Sequence, residues 1–211
     1  MEEALDTTTP FMTIDPMVSY RLLPVYSALN GGDWKILIQS DDELRLRLVS
    51  QGVANPEERS SMTWDDANLF FLSCVDLTTN GRPYPLFAGI SKERFGRFPY
   101  GDGSAMTYLR EWIRDSNKDT DSLEEMSELL EMLETRMSGT SMEKGIGKLE
   151  MRGWLTNEET TSLRKFLSTA IWTPAADEPL DGGCQDAAKN IVALLRSAEK
   201  RKCGVLLRVH N

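Results

Sequence analysis

The run Lys200-Arg201-Lys202-Cys203-Gly204-Val205-Leu206-Leu207-Arg208-Val209 closes one element and opens another. Its three basic residues complement the negative end of a helix, and Gly204 suits the left-handed cap that stops one. Upstream, Ala187, Ala188, Ile191, Leu194, Leu195 and Ala198 recur at helical spacing, which predicts a helix from Cys184 to Lys200 with one buried face. Downstream, Val205 to Val209 reads as a strand. A strand so short and apolar does not survive alone at an edge, so it needs a partner. Val18-Ser19-Tyr20-Arg21-Leu22-Leu23 offers one: Val18, Tyr20 and Leu22 share a face, and Pro24 ends the run. The expected fold class is α+β, a predominantly helical single domain with a small sheet pairing the N- and C-terminal strands.

Between these ends, helical signals dominate. Trp34 to Val49 is readable either way: Ser40 with Glu43 forms a capping-box pattern, while Leu44, Leu46 and Leu48 alternate as in a strand; the helix is preferred. Thr63 suits the cap of a helix whose stripe is Ala67, Phe70, Phe71, Cys74 and Val75. Ser104 opens another, with Ala105, Leu109, Trp112 and Ile113 on its apolar face. The clearest amphipathic helix follows, burying Leu123, Met126, Leu130, Leu133 and Met137 and exposing Glu124, Glu125, Glu128, Glu131 and Glu134. Thr156 and Glu159 form a capping box ahead of Leu163, Phe166, Leu167, Ala170 and Ile171. Residues 1–15 are polar, Thr-rich and aperiodic and are expected to form a mobile tail, leaving 16–211 as the globular domain.

With 33 acidic against 24 basic residues the formal charge is -9, which repels phosphate backbones, disfavours nucleic acid and favours a basic protein partner. No apolar run approaches membrane-spanning length, and the N-terminus lacks a secretory pattern, so no membrane association and a cytoplasmic location are expected. Cys74, Cys184 and Cys203, an odd number without paired spacing, fit free thiols in a reducing compartment.

The chain has a single histidine, His210, which argues against triad, Cys-His and multi-histidine metal chemistry. It reads as a solvent-facing residue near the end of the chain. The acidic segment Asp115 to Asp121 has oxygen ligands at alternate positions of a calcium loop, but Thr120 stands at the turn glycine and Met126 at the bidentate glutamate, so neither metal nor cofactor is expected. Cys184 lies near a helix N-terminus, where the dipole favours a thiolate, although Asp181 and Asp186 oppose this. The loop 81–103 differs in kind: Arg82, Lys92, Arg94 and Arg97 interleave with Tyr84, Phe87, Phe95, Phe98 and Tyr100. Arginine among aromatics is the composition of binding hot spots, and it is also that of an ordered loop packed on the core.

The motif Gly153-Trp154-Leu155-Thr156-Asn157-Glu158-Glu159, the closing Ala198-Glu199-Lys200 with Gly204-Val205-Leu206-Leu207, and the run Val18 to Leu23 together resemble small bacterial domains of unknown function, some in toxin-immunity neighbourhoods. The resemblance carries no catalytic residue. What it implies, together with the charge, is a non-enzymatic bacterial interaction protein, an immunity protein or inhibitor. Its expected partner-binding residues are Arg82, Arg94, Phe95, Arg97, Phe98, Tyr100, Glu128, Glu131 and Glu134. The alternative is a small-molecule-binding or carboxylate-based enzyme domain with a pocket near the 81–103 loop.

Overall fold

The computed structural model describes residues 11–87, 104–116, 120–169 and 171–210. The first strand, β1 (Phe11–Met17), lies ahead of the segment where alternation predicts one. Residues 19–23 instead open helix α1 (Ser19–Leu29), which contains Pro24. Leu22, Val25, Tyr26 and Leu29 repeat at helical spacing and pack into one core, and that burial outweighs the single backbone hydrogen bond Pro24 cannot make. Residues 11–15, which composition assigns to a tail, are therefore strand. Pro16 is tolerated because β1 is an edge strand.

The segment 34–49 folds as two helices, α2 (Trp34–Ser40) and α3 (Asp42–Ser50). The cap of α3 is Asp41, whose carboxylate accepts the Leu44 N–H at 2.8 Å, whereas Ser40 donates to the Leu37 carbonyl. Helix α4 (Asp66–Cys74) is likewise capped by Asp65, not Thr63. In both places a carboxylate beside the expected hydroxyl wins, since it is the stronger acceptor and its charge suits the helix N-terminus. Helix α5 (Ala105–Trp112) starts at Ser104, as its sequence indicates. Ile113 leaves the helix to begin β2 (Ile113–Asp115).

Helix α6 (Thr120–Thr135) leads to β3 (Lys144–Gly145) and β4 (Leu149–Leu155). Helix α7 (Asn157–Ser168) carries the full capping box: Thr156 Oγ1 accepts the Glu159 N–H at 3.2 Å, and Glu159 accepts the Thr156 N–H at 2.7 Å. Then come β5 (Trp172–Pro174), α8 (Gly183–Lys200) and β6 (Gly204–His210). Lys202, with φ 53°, takes the left-handed position after α8 that the sequence assigns to Gly204. Gly204 instead begins β6, where a Cβ would stand 2.5 Å from the Leu155 carbonyl oxygen.

The antiparallel sheet has the order β1-β6-β4-β3, with Phe11 opposite His210 and Met17 opposite Gly204. The N- and C-terminal strands thus meet, through 11–17. Strands β2 and β5 form a separate antiparallel pair. Alternation along β6 divides the interior: Leu206 points into a core built with α1–α4, while Val205 and Leu207 point into one built with α5–α8. The protein is a predominantly helical α+β domain with its sheet between two groups of helices. Among the described residues, no helix is long and apolar enough to cross a membrane.

Candidate functional site

Helix α6 is anchored by its apolar stripe, Met126, Leu129, Leu130 and Leu133, all buried. Its flank toward α5 is polar and fully used. Arg110 of α5 pairs with Glu131 at 2.6 Å, and Thr107 donates to Glu134 at 2.7 Å. At the far end Arg136 makes a two-armed ion pair with Glu159 at 2.9 and 3.1 Å, donates to the Trp154 carbonyl and stacks on the Trp154 ring at 3.8 Å. The helix is therefore held from three sides.

What remains outward is an acidic row: Asp121, Glu124, Glu125 and Glu128 are exposed. Over the seven steps from Asp121 to Glu128 a helix rises about 10 Å, so the row spans two turns. Among the described residues no cation lies within 4.0 Å of Glu124, Glu125 or Glu128. Of the three glutamates expected to bind a partner, Glu128 is open, while Glu131 and Glu134 also fasten α5 to α6. Periodicity places all three outward; it carries no information about Arg110 and Thr107, which belong to another helix.

Arg94, Phe95, Arg97, Phe98 and Tyr100 lie outside the described residues. Of the same loop, Arg82 is exposed, Leu86 is buried in the core, and Tyr84 and Phe87 are 43% and 45% exposed. Arg201, just beyond α8, donates to the Pro85 carbonyl at 3.1 Å and faces Asp76 at 3.5 Å, which fixes where the loop departs.

Cys184 occupies the first turn of α8, where the helix dipole favours a thiolate and the neighbouring aspartates oppose it. Glu178 takes that helix end instead, accepting the Cys184 N–H at 2.5 Å and the Tyr108 hydroxyl at 2.9 Å. Burial, reinforced by the Glu178 carboxylate, pushes the Cys184 thiol up to about 12. Cys74 and Cys203 are buried as well, and burial raises both. None of the three thiols is therefore expected to react with a disulfide reagent at neutral pH in the folded protein, and all three are expected to react in urea. A fast native-state equivalent assigned to Cys184 by peptide mapping contradicts this.

His210 is not a solvent-facing tail residue. It is the last residue of β6, its ring stacks on Phe11 at 4.5 Å, and its Nε2 lies 3.0 Å from Thr13 Oγ1. Asp115 of the acidic turn lies in β2 and residues 117–119 fall outside the described residues. Among the described residues, no group of three or more His, Cys, Asp or Glu side chains is placed to hold a metal ion. Comparison with protein families, curated proteins and solved structures finds no match to this chain.

Proposed function

We propose that this chain is a non-enzymatic interaction protein, of the immunity or inhibitor type, that covers a basic surface of a protein partner with the outer face of α6. The observation that carries this reading is the row Asp121, Glu124, Glu125 and Glu128, four exposed carboxylates on a helix anchored from three sides. Like charges on adjacent turns repel one another, so such a face costs stability unless opposite charge covers it. A rigid helix presents the row without an ordering cost on binding, which favours affinity. The half-exposed Tyr84 and Phe87 supply aromatic surface of the kind that anchors interfaces.

The variant Glu124→Lys/Glu125→Lys/Glu128→Lys tests this without touching Glu131 or Glu134. Its stability is expected to stay within about 0.5 kcal/mol of wild type per site, as for exposed positions generally. Recovery of a co-purifying basic partner on the reversed bait is expected to fall about tenfold or more, and wild-type recovery to fall steeply with salt. Equal recovery on both baits, or recovery independent of salt, refutes the reading.

A further inference from the structure

One end of the sheet face beneath α4 is polar. There β1 and β6 set Phe11 opposite His210 and Thr13 opposite Arg208. Beside this ladder lies a cleft of about 280 Å³ bounded by Asn68 and Phe71 of α4, by the turn 146–149, and by Arg208, Val209 and His210 of β6. Its size is near the lower end of ligand pockets, roughly 300 Å³, and suits a small molecule.

The charged groups bordering the cleft are basic. Among the described residues no carboxylate borders it, in a chain with 33 acidic residues. Arg208 donates from Nε to Asp15 at 2.7 Å, and its guanidinium lies 5.2 Å from the centre of the Phe71 ring. Burial raises the Asp15 carboxyl while Arg208 pulls it down. That one bond orients the guanidinium, and its two terminal amino groups make no hydrogen bond to the described residues. They are the fork that matches two oxygens of an anion.

The facing turn is built with equal definition. Asp65 accepts the Ile146 N–H at 2.8 Å, and Asn68 donates to the Ile146 carbonyl at 3.2 Å, which staples the turn to the start of α4. At Gly145 a Cβ would stand 2.7 Å from both Asp65 Oδ1 and Asn68 Nδ2, so a side chain here would displace the two groups that staple the turn. Lys148 follows with φ 62°, a conformation costly for a residue with a Cβ, and borders the cleft. Strain of this kind concentrates where a side chain must be aimed.

We propose that this cleft is a binding site for a small oxyanion of the phosphate class, with the Arg208 fork and the Lys148 ammonium as its charged ligands. A guanidinium supplies paired donors and a lysine a point charge, the two means by which phosphate is commonly held. His210, fixed by Thr13 and Phe11, closes one side. The site does not depend on the α6 face and stands or falls separately from the partner reading.

The test is titration of the isotope-labelled chain with inorganic phosphate at constant ionic strength, with chloride as control, followed through backbone amide shifts. Saturable shifts at Gly147, Lys148, Val209 and His210 that chloride does not reproduce are expected. Lys148→Gly is expected to fold at least as well as wild type, because glycine adopts the left-handed conformation freely, and to bind phosphate about tenfold more weakly, as loss of a charge-assisted contact implies. Lys148→Arg is expected to retain binding. Absence of saturable shifts at tens of millimolar phosphate overturns the proposal, and so does unchanged affinity in Lys148→Gly.

Discussion

Gly153→Ala is expected to destabilise the fold severely. At this position in β4 an added Cβ would lie 2.1 Å from the Met132 carbonyl oxygen and 2.6 Å from that of Leu133. Both atoms are backbone in the last turns of α6, so no side-chain rotation relieves the clash. The turn that follows α6 is also tied to β4 by a hydrogen bond from the Met137 N–H to the Arg152 carbonyl at 2.9 Å, so moving the helix away to admit a methyl group strains more than one contact. Overpacking against side chains costs about 1–3 kcal/mol; against rigid backbone the expected loss exceeds about 4 kcal/mol, a large part of the roughly 5–15 kcal/mol that holds a domain folded. Gly139→Ala is the control. With φ 74° and nothing within 4 Å of its Cβ, it is expected to cost only about 1–2 kcal/mol from left-handed strain. Urea midpoints and soluble yield distinguish the two, and a folded Gly153→Ala with near-native stability contradicts the close approach.

The second large effect is expected at Asp41. Arg21 is 1% exposed yet charged, and Asp41 satisfies it through two bonds, at 2.7 and 3.0 Å, while also capping α3. Glu43 approaches Arg21 at 3.3 Å from a side chain that is 80% exposed, too solvated to replace it. Asp41→Ala leaves a buried guanidinium with only the solvated Glu43 beside it and is expected to cost about 3–5 kcal/mol. Arg21→Met removes the charge together with its desolvation cost, keeps most of the apolar stem and is expected to cost less. Burial acts to raise the Asp41 carboxyl, but the Arg21 bond and the Leu44 N–H together hold it below its ordinary 3.8. A carboxylate lowered on folding stabilises above its unfolded value, and that contribution is lost as pH falls through the lowered folded value. Wild-type stability is therefore expected to drop below about pH 4 through this group, and the drop to be shallower in Asp41→Ala. Equal acid sensitivity in the two proteins, read from urea midpoints across pH 2 to 6, counts against the assignment.

Much of the helical half was legible because its signals are local. The α7 capping box, the Ser104 cap and the buried faces of α6 and α8 each rest on residues within a few positions of one another, and they form as their spacing indicates. The misread places share a different cause. Val18 to Leu23 alternates apolar and polar as a strand would, yet Ser19 onward is helix, because a six-residue window is too short to separate the two periods once Pro24 is taken as a stop. Strand β1 was hidden for the opposite reason: Thr13 and Asp15 resemble tail residues until Arg208 is set opposite or beside them.

The acidic face was visible in the sequence and its use was only half visible. Glutamates spaced at three and four must lie on one side of α6, but Glu131 and Glu134 are engaged by Arg110 and Thr107, 21 and 27 residues away. The phosphate-class cleft had no sequence signature at all. Lys148 and Arg208 are far apart in the chain, and neither sits in a recognisable motif.

Local pattern therefore established the acidic charge, the dominance of helix, the amphipathic faces and most of their ends, since each depends on neighbours a turn away. Tertiary packing decided which terminal segment became strand, which carboxylates stayed open, and which basic groups came to border one cleft. Those outcomes depend on strand register and helix contact between distant residues, and a register shift of one residue would move every side chain in β6 to the other face.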